Sequence, residues 1–128
     1  MITNKYMRSL LLRCVEEDGG LDGDITTNSL NLYNETGRFA INVRGNGTVA
    51  GLEPIAEAID LFGDVSMTLL LNDGDEAYDE NIAILEGSVR AILVAERTIL
   101  NVICHASGVA TQTKKFVDKV AGTGCAIC

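Results

Sequence analysis

Apolar residues recur at helical spacing from residue 91 to residue 120, and no proline interrupts them. The first part of this segment places six apolar residues on one stripe: Ile92, Ala95, Ile99, Val102, Ile103 and Ala106. Because each residue turns an α-helix by about 100°, Arg97 falls on the opposite face and Asn101 follows one turn later. The segment therefore predicts a core helix that carries one cation on the face away from its apolar stripe.

Ser107 and Gly108 predict a break in this helical segment, because serine is a favoured N-cap and can start a second helix. The second helix would turn five residues inward: Val109, Thr113, Phe116, Val117 and Val120. Lys114 and Lys115 are expected on its solvated face.

Shorter segments elsewhere follow helical or strand periods. A first helix is predicted over residues 4–17, where Met7 and Leu11 share one face. A short helix begins near Pro54 and turns four residues inward: Ile55, Ala58, Ile59 and Phe62. Strands are predicted at residues 38–44, 48–52, 65–71 and 82–85, the first two joined by an Asn-Gly turn. Short strands flanked by helices indicate an α+β fold with a small antiparallel β-sandwich.

Composition and charge narrow the class of protein. The chain has 128 residues, of which 47% are hydrophobic, so one folded domain is expected rather than a disordered segment. Its formal net charge of -8 leaves no basic stripe for phosphates, which argues against nucleic acid or an anionic membrane as a partner. No apolar run reaches the ~18 residues of a membrane span, and the first residues lack the apolar core of a signal peptide. A cytoplasmic protein is therefore expected.

The cysteines and acidic residues do not predict a metal site. The four cysteines are Cys14, Cys104, Cys125 and Cys128, and they are expected to be reduced thiols. The last two have the CxxC spacing, but a structural zinc site requires two more ligands. Three aspartates suggest a calcium loop: Asp18, Asp22 and Asp24. The acidic ligand required at the twelfth position of such a loop is replaced by Ser29, so these carboxylates are expected to cap turns instead.

Five motifs carry a resemblance to one enzyme family. They are Gly23-Asp24-Ile25-Thr26-Thr27 after Glu17-Asp18, Val49-Ala50-Gly51-Leu52, Asp73-Gly74-Asp75, Ala95-Glu96-Arg97-Thr98 with Leu100-Asn101, and Ser107-Gly108-Val109-Ala110-Thr111. In this order and spacing they span almost the whole chain, and the cluster over residues 95–111 is specific. The sequence resembles the N-terminal part of the quinolinate phosphoribosyltransferases, also called nicotinate-nucleotide pyrophosphorylases (decarboxylating).

The resemblance implies a fold and a reaction. It implies a hammerhead-like sandwich domain over residues 1–107, then residues 108–128 as a helix and the start of a partly open α/β barrel domain. The reaction joins quinolinate to phosphoribosyl pyrophosphate with magnesium as cofactor, and gives nicotinate mononucleotide, pyrophosphate and carbon dioxide in NAD biosynthesis. Family members are dimers in which the sandwich domain of one subunit covers the barrel mouth of the other. The arginine of the Ala-Glu-Arg-Thr motif, here Arg97, would bind quinolinate across that interface.

Two departures from the family pattern set further expectations. Between Asp75 and Ile82 the family carries a glycine turn, whereas this chain has Tyr78-Asp79-Glu80-Asn81, so the geometry of that turn is expected to differ. After residues 125–128 the family continues into the rest of the barrel, which carries further basic substrate ligands and the acidic magnesium ligands. A dicarboxylate and a phosphorylated sugar need several charge-assisted donors. The chain is therefore expected to be a partial protein that binds and assembles but is inactive alone.

The same residues leave two alternatives open and exclude a third. The related molybdenum-transport accessory protein shares the implied architecture, and residues of the barrel would separate the two. A non-catalytic dimerisation module is a further alternative. A biotinyl or lipoyl carrier fails, because it needs a lysine on a hairpin tip and residues 44–90 contain none. Without the surrounding motif, Arg97 would be taken for a surface or salt-bridging arginine, and Asn101 on the same helix face is expected to orient it.

Overall fold

The computed structural model describes residues 4–17, 32 and 34–127. The helices are α1 Asn4–Glu17, α2 Leu52–Ala56 and α3 Val89–Val120, with a 3₁₀ helix at Ile59–Phe62. The strands are β1 Thr36–Asn42, β2 Asn46–Thr48, β3 Val65–Leu69, β4 Glu76–Tyr78 and β5 Asn81–Ser88. The predicted α+β class, with antiparallel strands flanked by helices, is confirmed.

The strands form two antiparallel sheets. The larger sheet has the order β1-β5-β3, so β5 is its central strand. Leu85 of β5 lies opposite Phe39 of β1 on one side and opposite Met67 of β3 on the other. The smaller sheet pairs β2 with β4. Helix α3 begins directly after β5, so the central strand and the long helix are connected without a loop.

The predicted Asn-Gly hairpin between residues 38–44 and 48–52 was wrong. β1 pairs with β5 along its whole length, whereas β2 pairs with β4, so the two segments lie in different sheets. The residues between them bond to the turn that joins β4 to β5: Asp79 N donates to the Gly45 oxygen over 2.9 Å, and Gly45 N donates to Asp79 Oδ1 over 2.7 Å. Asp79 has a φ of 48°, a left-handed conformation that aspartate adopts more readily than most residues. Pairing with a distant strand outweighs the local turn preference here.

The hydrophobic core joins buried side chains of α1, α2, α3 and the central strand in one cluster. Its fully buried large side chains are Leu11, Val49, Leu52, Ile55, Ile82 and Ile99. Four of the six residues predicted on the stripe of α3 are buried: Ile92, Ala95, Ile99 and Ile103. The other two, Val102 and Ala106, are half-buried. The four residues predicted to point inward after Pro54 are buried as well: Ile55, Ala58, Ile59 and Phe62.

Helix α3 runs without interruption from Val89 to Val120, so the predicted break at Ser107 and Gly108 was wrong. Ser107 does not cap a new helix, because its hydroxyl is bonded to the backbone of Ala50. The predicted inner face of the second half was wrong too: Val109 is 55% exposed, and Phe116 and Val117 are also exposed. The division into residues 1–107 and 108–128 stays a prediction, and the helix crosses that boundary intact.

By length and composition, α3 could also span a membrane, with a mean hydropathy of 1.3 in its most apolar window. The expectation that no segment would be long and apolar enough was therefore wrong. A single helix of this kind is weak support for a membrane span, because core helices meet the same criterion. The buried stripe of Ile92, Ile99 and Ile103 packs against strands and helices of the same chain, so we interpret α3 as a core helix.

Candidate functional site

Two hydroxyls on α3 hold the extended segment over residues 48–50, which begins at the last residue of β2. Thr48 N donates to Thr111 Oγ1 over 2.9 Å. Ala50 N donates to Ser107 Oγ over 3.0 Å, and the same hydroxyl donates to the Ala50 oxygen over 3.3 Å. Ser107 and Thr111 are four residues apart and therefore lie on one face of the helix. The helix thus takes the place of a neighbouring strand for this segment.

The other edge of the same segment is held by the Asp73-Gly74-Asp75 turn. Val49 N donates to the Asp75 oxygen over 2.9 Å, and Gly74 N donates to the Val49 oxygen over 2.8 Å. Leu52 N, at the start of α2, donates to Asp73 Oδ1 over 2.8 Å. Because the N-cap residue of α2 is Gly51, which has no side chain, this aspartate supplies the missing cap from elsewhere in the chain.

Three of the motifs that are separate in sequence therefore meet in one hydrogen-bonded structure. We call it the motif junction and define it as residues 48–52, 72–75 and 107–111. Two glycines allow the close approach of strand and helix. A Cβ on Gly47 would lie 2.8 Å from Thr111 Oγ1, and Gly51 has a φ of 91°. The motifs themselves are visible in the sequence, but no local pattern predicts that they contact one another.

One buried hydroxyl and one carboxylate extend the junction towards the second half of α3. Thr48 Oγ1 donates to Glu76 Oε1 over 2.8 Å. Lys114 Nζ lies 3.9 Å from the same oxygen and 3.9 Å from Asp118 Oδ2. Lys114 therefore takes part in two long ion pairs as well as facing solvent, and such exposed pairs contribute little to stability.

The two candidate residues lie on the outer face of α3. Arg97 and Asn101 are both exposed, while their neighbours Thr98 and Ile99 are buried. Asn101 lines a cavity of about 830 Å³ together with His105, one turn further along the helix. The role of Asn101 in orienting Arg97 stays a prediction.

The cavity beside Asn101 is lined by apolar and acidic side chains. Three carboxylates line it, those of Glu53, Glu57 and Asp73, and the histidine is His105. These carboxylates disfavour an anion inside the cavity. Arg97 is absent from the residues that line this cavity and lies on the exposed face of α3.

An ion pair between residues far apart in the sequence connects α1 to the 3₁₀ helix. Arg8 Nη1 and Nη2 donate to Asp60 Oδ1 and Oδ2, both over 2.8 Å. These hydrogen bonds are the largest cause of a lowered pKa for Asp60 and of a raised pKa for Arg8. Both groups face solvent, so the pair fixes the position of α1 without forming part of a buried site.

Within residues 4–17, 32 and 34–127, no group of three or more histidine, cysteine or acidic side chains could hold a metal ion. The magnesium that the family resemblance implies therefore does not fit any cluster of described residues. Cys14, Cys104 and Cys125 are free thiols. Cys128, Asp18, Asp22 and Asp24 lie outside the described residues, as do the Gly23–Thr27 motif and the predicted calcium-loop position Ser29.

Comparison with known proteins decides the family. The model of the quinolinate phosphoribosyl transferase N-terminal domain matches residues 24–107. The chain belongs to the quinolinate phosphoribosyltransferase family. It is 39% identical over 114 residues to a probable nicotinate-nucleotide pyrophosphorylase (carboxylating) of Methanocaldococcus jannaschii, covering 89% of this chain and 39% of that protein. The corresponding protein of Mycobacterium leprae is 32% identical over 120 residues, covering 91% and 42%.

A solved structure gives the same result. The crystal structure of nicotinate-nucleotide pyrophosphorylase from Ehrlichia chaffeensis superposes with a TM-score of 0.78 at 38% identity, covering 95% of this chain and 43% of that one. The chain thus spans about two fifths of the length of these quinolinate phosphoribosyltransferase relatives. The matched domain includes Arg97 and Asn101 and ends at Ser107 in the motif junction.

Proposed function

We propose that this chain is the N-terminal part of a quinolinate phosphoribosyltransferase and that Arg97 binds a carboxylate of quinolinate in the active site of a neighbouring subunit. The whole enzyme would transfer a phosphoribosyl group from phosphoribosyl pyrophosphate to quinolinate, releasing pyrophosphate and carbon dioxide. The match of the N-terminal domain model to residues 24–107 carries the proposal. The relatives named above are nicotinate-nucleotide pyrophosphorylases, which favours this reaction over the molybdenum-transport alternative.

The position of Arg97 supports a role towards a partner. It lies on the exposed face of α3, while the opposite stripe of that helix is buried in the domain. A side chain on that face can reach a second molecule without disturbing the core. The guanidinium group presents a planar pair of donors that matches a carboxylate, which a lysine ammonium does not.

The charge of the domain sets a limit to what it can do alone. With a net charge of -8 and an acidic cavity beside Asn101, these residues offer poor binding to a dicarboxylate and a pyrophosphate together. We therefore propose that the chain acts within a homodimer, with the remaining cationic donors supplied by the other domain of the enzyme. No described residue is assigned to magnesium, and the role of Arg97 does not depend on it. We expect residues 1–128 alone to form no product.

A hybrid enzyme tests the proposal. In it, this chain replaces the matching 39% of the M. jannaschii relative, and the unaltered relative is the positive control. The hybrid should form nicotinate mononucleotide from quinolinate and phosphoribosyl pyrophosphate. Arg97→Ala and Arg97→Lys should both lower kcat/KM for quinolinate while leaving the KM for phosphoribosyl pyrophosphate nearly unchanged. A lost hydrogen bond to a charged group costs about 1.5–3 kcal/mol, which is roughly 10- to 150-fold.

A matched control separates this effect from a general loss of charge. Arg38→Ala removes another exposed arginine. Arg38 lies on β1, and its Nε is 3.2 Å from Glu86 Oε1. It should leave quinolinate kinetics unchanged. Equal effects of Arg97→Ala and Arg38→Ala would contradict the proposal. If the full hybrid does not fold, a second hybrid that carries only residues 95–111 in the relative tests the same arginine.

A further inference from the structure

The extended segment over residues 48–50 forms hydrogen bonds on both edges in the alternating manner of a strand. Val49 N is bonded towards Asp75, whereas Thr48 N and Ala50 N are bonded towards α3. The acceptors on the helix side are the hydroxyls of Ser107 and Thr111. Side-chain hydroxyls on a helix therefore take the place of backbone carbonyls of an adjacent strand. Both bonds are partly buried, which shields them from competition by water.

These bonds constrain α3 in a way that its apolar contacts do not. Burial of the stripe around Ile99 is favourable but non-directional, so it tolerates a small rotation of the helix about its axis. Hydrogen bonds weaken steeply when their angle changes. The strand and the helix approach each other closely here, since a Cβ on Gly47 would lie only 2.8 Å from Thr111 Oγ1. The junction therefore fixes both the rotation and the axial position of α3.

Arg97 lies on the same uninterrupted helix, ten residues before Ser107. At 1.5 Å per residue this separation is about 15 Å. A group about 6 Å from the helix axis moves by about 1 Å when the helix rotates by about 10°. A displacement of that size at a reacting or binding group can cost about 100-fold in rate. If the junction allowed such a rotation, the guanidinium of Arg97 would therefore move away from the position where it is proposed to bind a carboxylate of quinolinate.

We propose that the hydroxyls of Ser107 and Thr111 are positioning groups that set where Arg97 meets quinolinate; this rests on the function proposed for Arg97. They do not touch substrate. They act by fixing the rotation of α3 about its axis. The hydrogen bonds from α3 to residues 48–50 hold the helix at that rotation.

The hybrid enzyme described above provides the test. Thr111→Val and Ser107→Ala remove the hydroxyls with little change in size, whereas Thr111→Ser keeps one. Thr111→Val should lower kcat/KM for quinolinate about tenfold, with the KM for phosphoribosyl pyrophosphate unchanged. Thr111→Ser keeps the hydroxyl and should therefore retain most of the parent kcat/KM for quinolinate. Ser66→Ala is the matched control, because Ser66 Oγ donates to the Glu86 oxygen over 3.2 Å in the other sheet. It should leave quinolinate kinetics unchanged.

Combination with Arg97→Ala distinguishes positioning from simple stabilisation. In an Arg97→Ala background, Thr111→Val should have no further effect on quinolinate, because the group it positions is absent. An undiminished effect in that background would overturn the proposal, as would an equal effect of Ser66→Ala. Gly47→Ala perturbs the same contact from the strand side, with both hydroxyls in place, and should reproduce the loss if Thr111→Val proves too unstable to assay.

The outcomes separate this proposal from the function on which it rests. If Arg97→Ala lowers kcat/KM for quinolinate and the hydroxyl variants do not, positioning by the junction is wrong and the role of Arg97 stands. If Arg97→Ala itself has no effect, the proposed function fails and positioning fails with it.

Discussion

Replacing Ile99 by alanine tests whether the first half of α3 is the main packing element of this domain. Ile99 is fully buried and lies on the stripe that contacts the rest of the core. Truncation of a buried isoleucine to alanine costs about 2–5 kcal/mol, because it removes apolar contacts and leaves a cavity. The higher helix propensity of alanine offsets only a few tenths of a kcal/mol. We expect a loss of about 2–4 kcal/mol in the free energy of unfolding.

The same helix offers the control. Val117 is 45% exposed on the second half of α3, so Val117→Ala should change the free energy of unfolding by less than about 0.5 kcal/mol. Urea unfolding of the 128-residue chain, followed by circular dichroism at 222 nm, measures both variants against the parent. Equal losses for Ile99→Ala and Val117→Ala would refute the assignment of the core to the first half of the helix.

Three further predictions concern other parts of the domain. Because its bonds to Arg8 lower the pKa of Asp60, the pair adds stability above the ordinary value of 3.8 and loses it as the pH falls through the lower folded pKa. The stability difference between the parent and Asp60→Asn, measured by urea unfolding, should therefore shrink below about pH 3.8, and a constant difference would contradict this. Gly47→Ala should cost about 1–3 kcal/mol through overpacking, and less in a Thr111→Ala background, in a double-mutant cycle by thermal unfolding. The exposed apolar face around Phe116, which is 57% exposed, should cause association of the chain at micromolar concentration, and Phe116→Ser should reduce it in light scattering; a clean monomer of the parent would refute this.

Features set by local periodicity were predictable from the sequence. The helix over residues 4–17 and the buried stripe of α3 follow from spacing within a few turns. The strands at 65–71 and 82–85 were also placed within a few residues of their observed bounds. In each case the signal lies within the segment that it describes.

Features that depend on distant partners were not predictable. Ser107 has the local character of an N-cap, but its hydroxyl bonds Ala50, which lies 57 residues away. The Asn-Gly turn favours a hairpin, but β2 pairs with β4 across a long stretch of chain. The stripe at Val109 to Val120 was correctly identified as apolar, yet periodicity does not show what covers it. An apolar helix face is buried only when another part of the fold packs against it, and the sequence of the helix does not show whether such a part exists.

The candidate site was predictable only in part. Helical spacing predicts that Arg97 lies on the face opposite the core. Its proposed role in binding comes from the resemblance of the surrounding motif to the family. Asp73 was noted in a turn motif, but its role as a cap for α2 depends on a contact with Leu52 that no local pattern reveals. A hydroxyl pair spaced four residues apart on a helix, opposite a glycine-containing strand, is the signal that would have identified the junction.

Mixing two inactive hybrid enzymes tests whether Arg97 binds quinolinate in the active site of the neighbouring subunit. One hybrid carries Arg97→Ala with an intact barrel, and the other keeps Arg97 but has an inactivated barrel. If Arg97 serves the neighbouring subunit of a dimer, equal mixing should restore about a quarter of the parent activity, because half the dimers are mixed and each has one complete site. Exchange of subunits is verified by co-purification through a tag on one partner. Absence of recovery with exchange demonstrated would contradict donation of Arg97 to the neighbouring subunit.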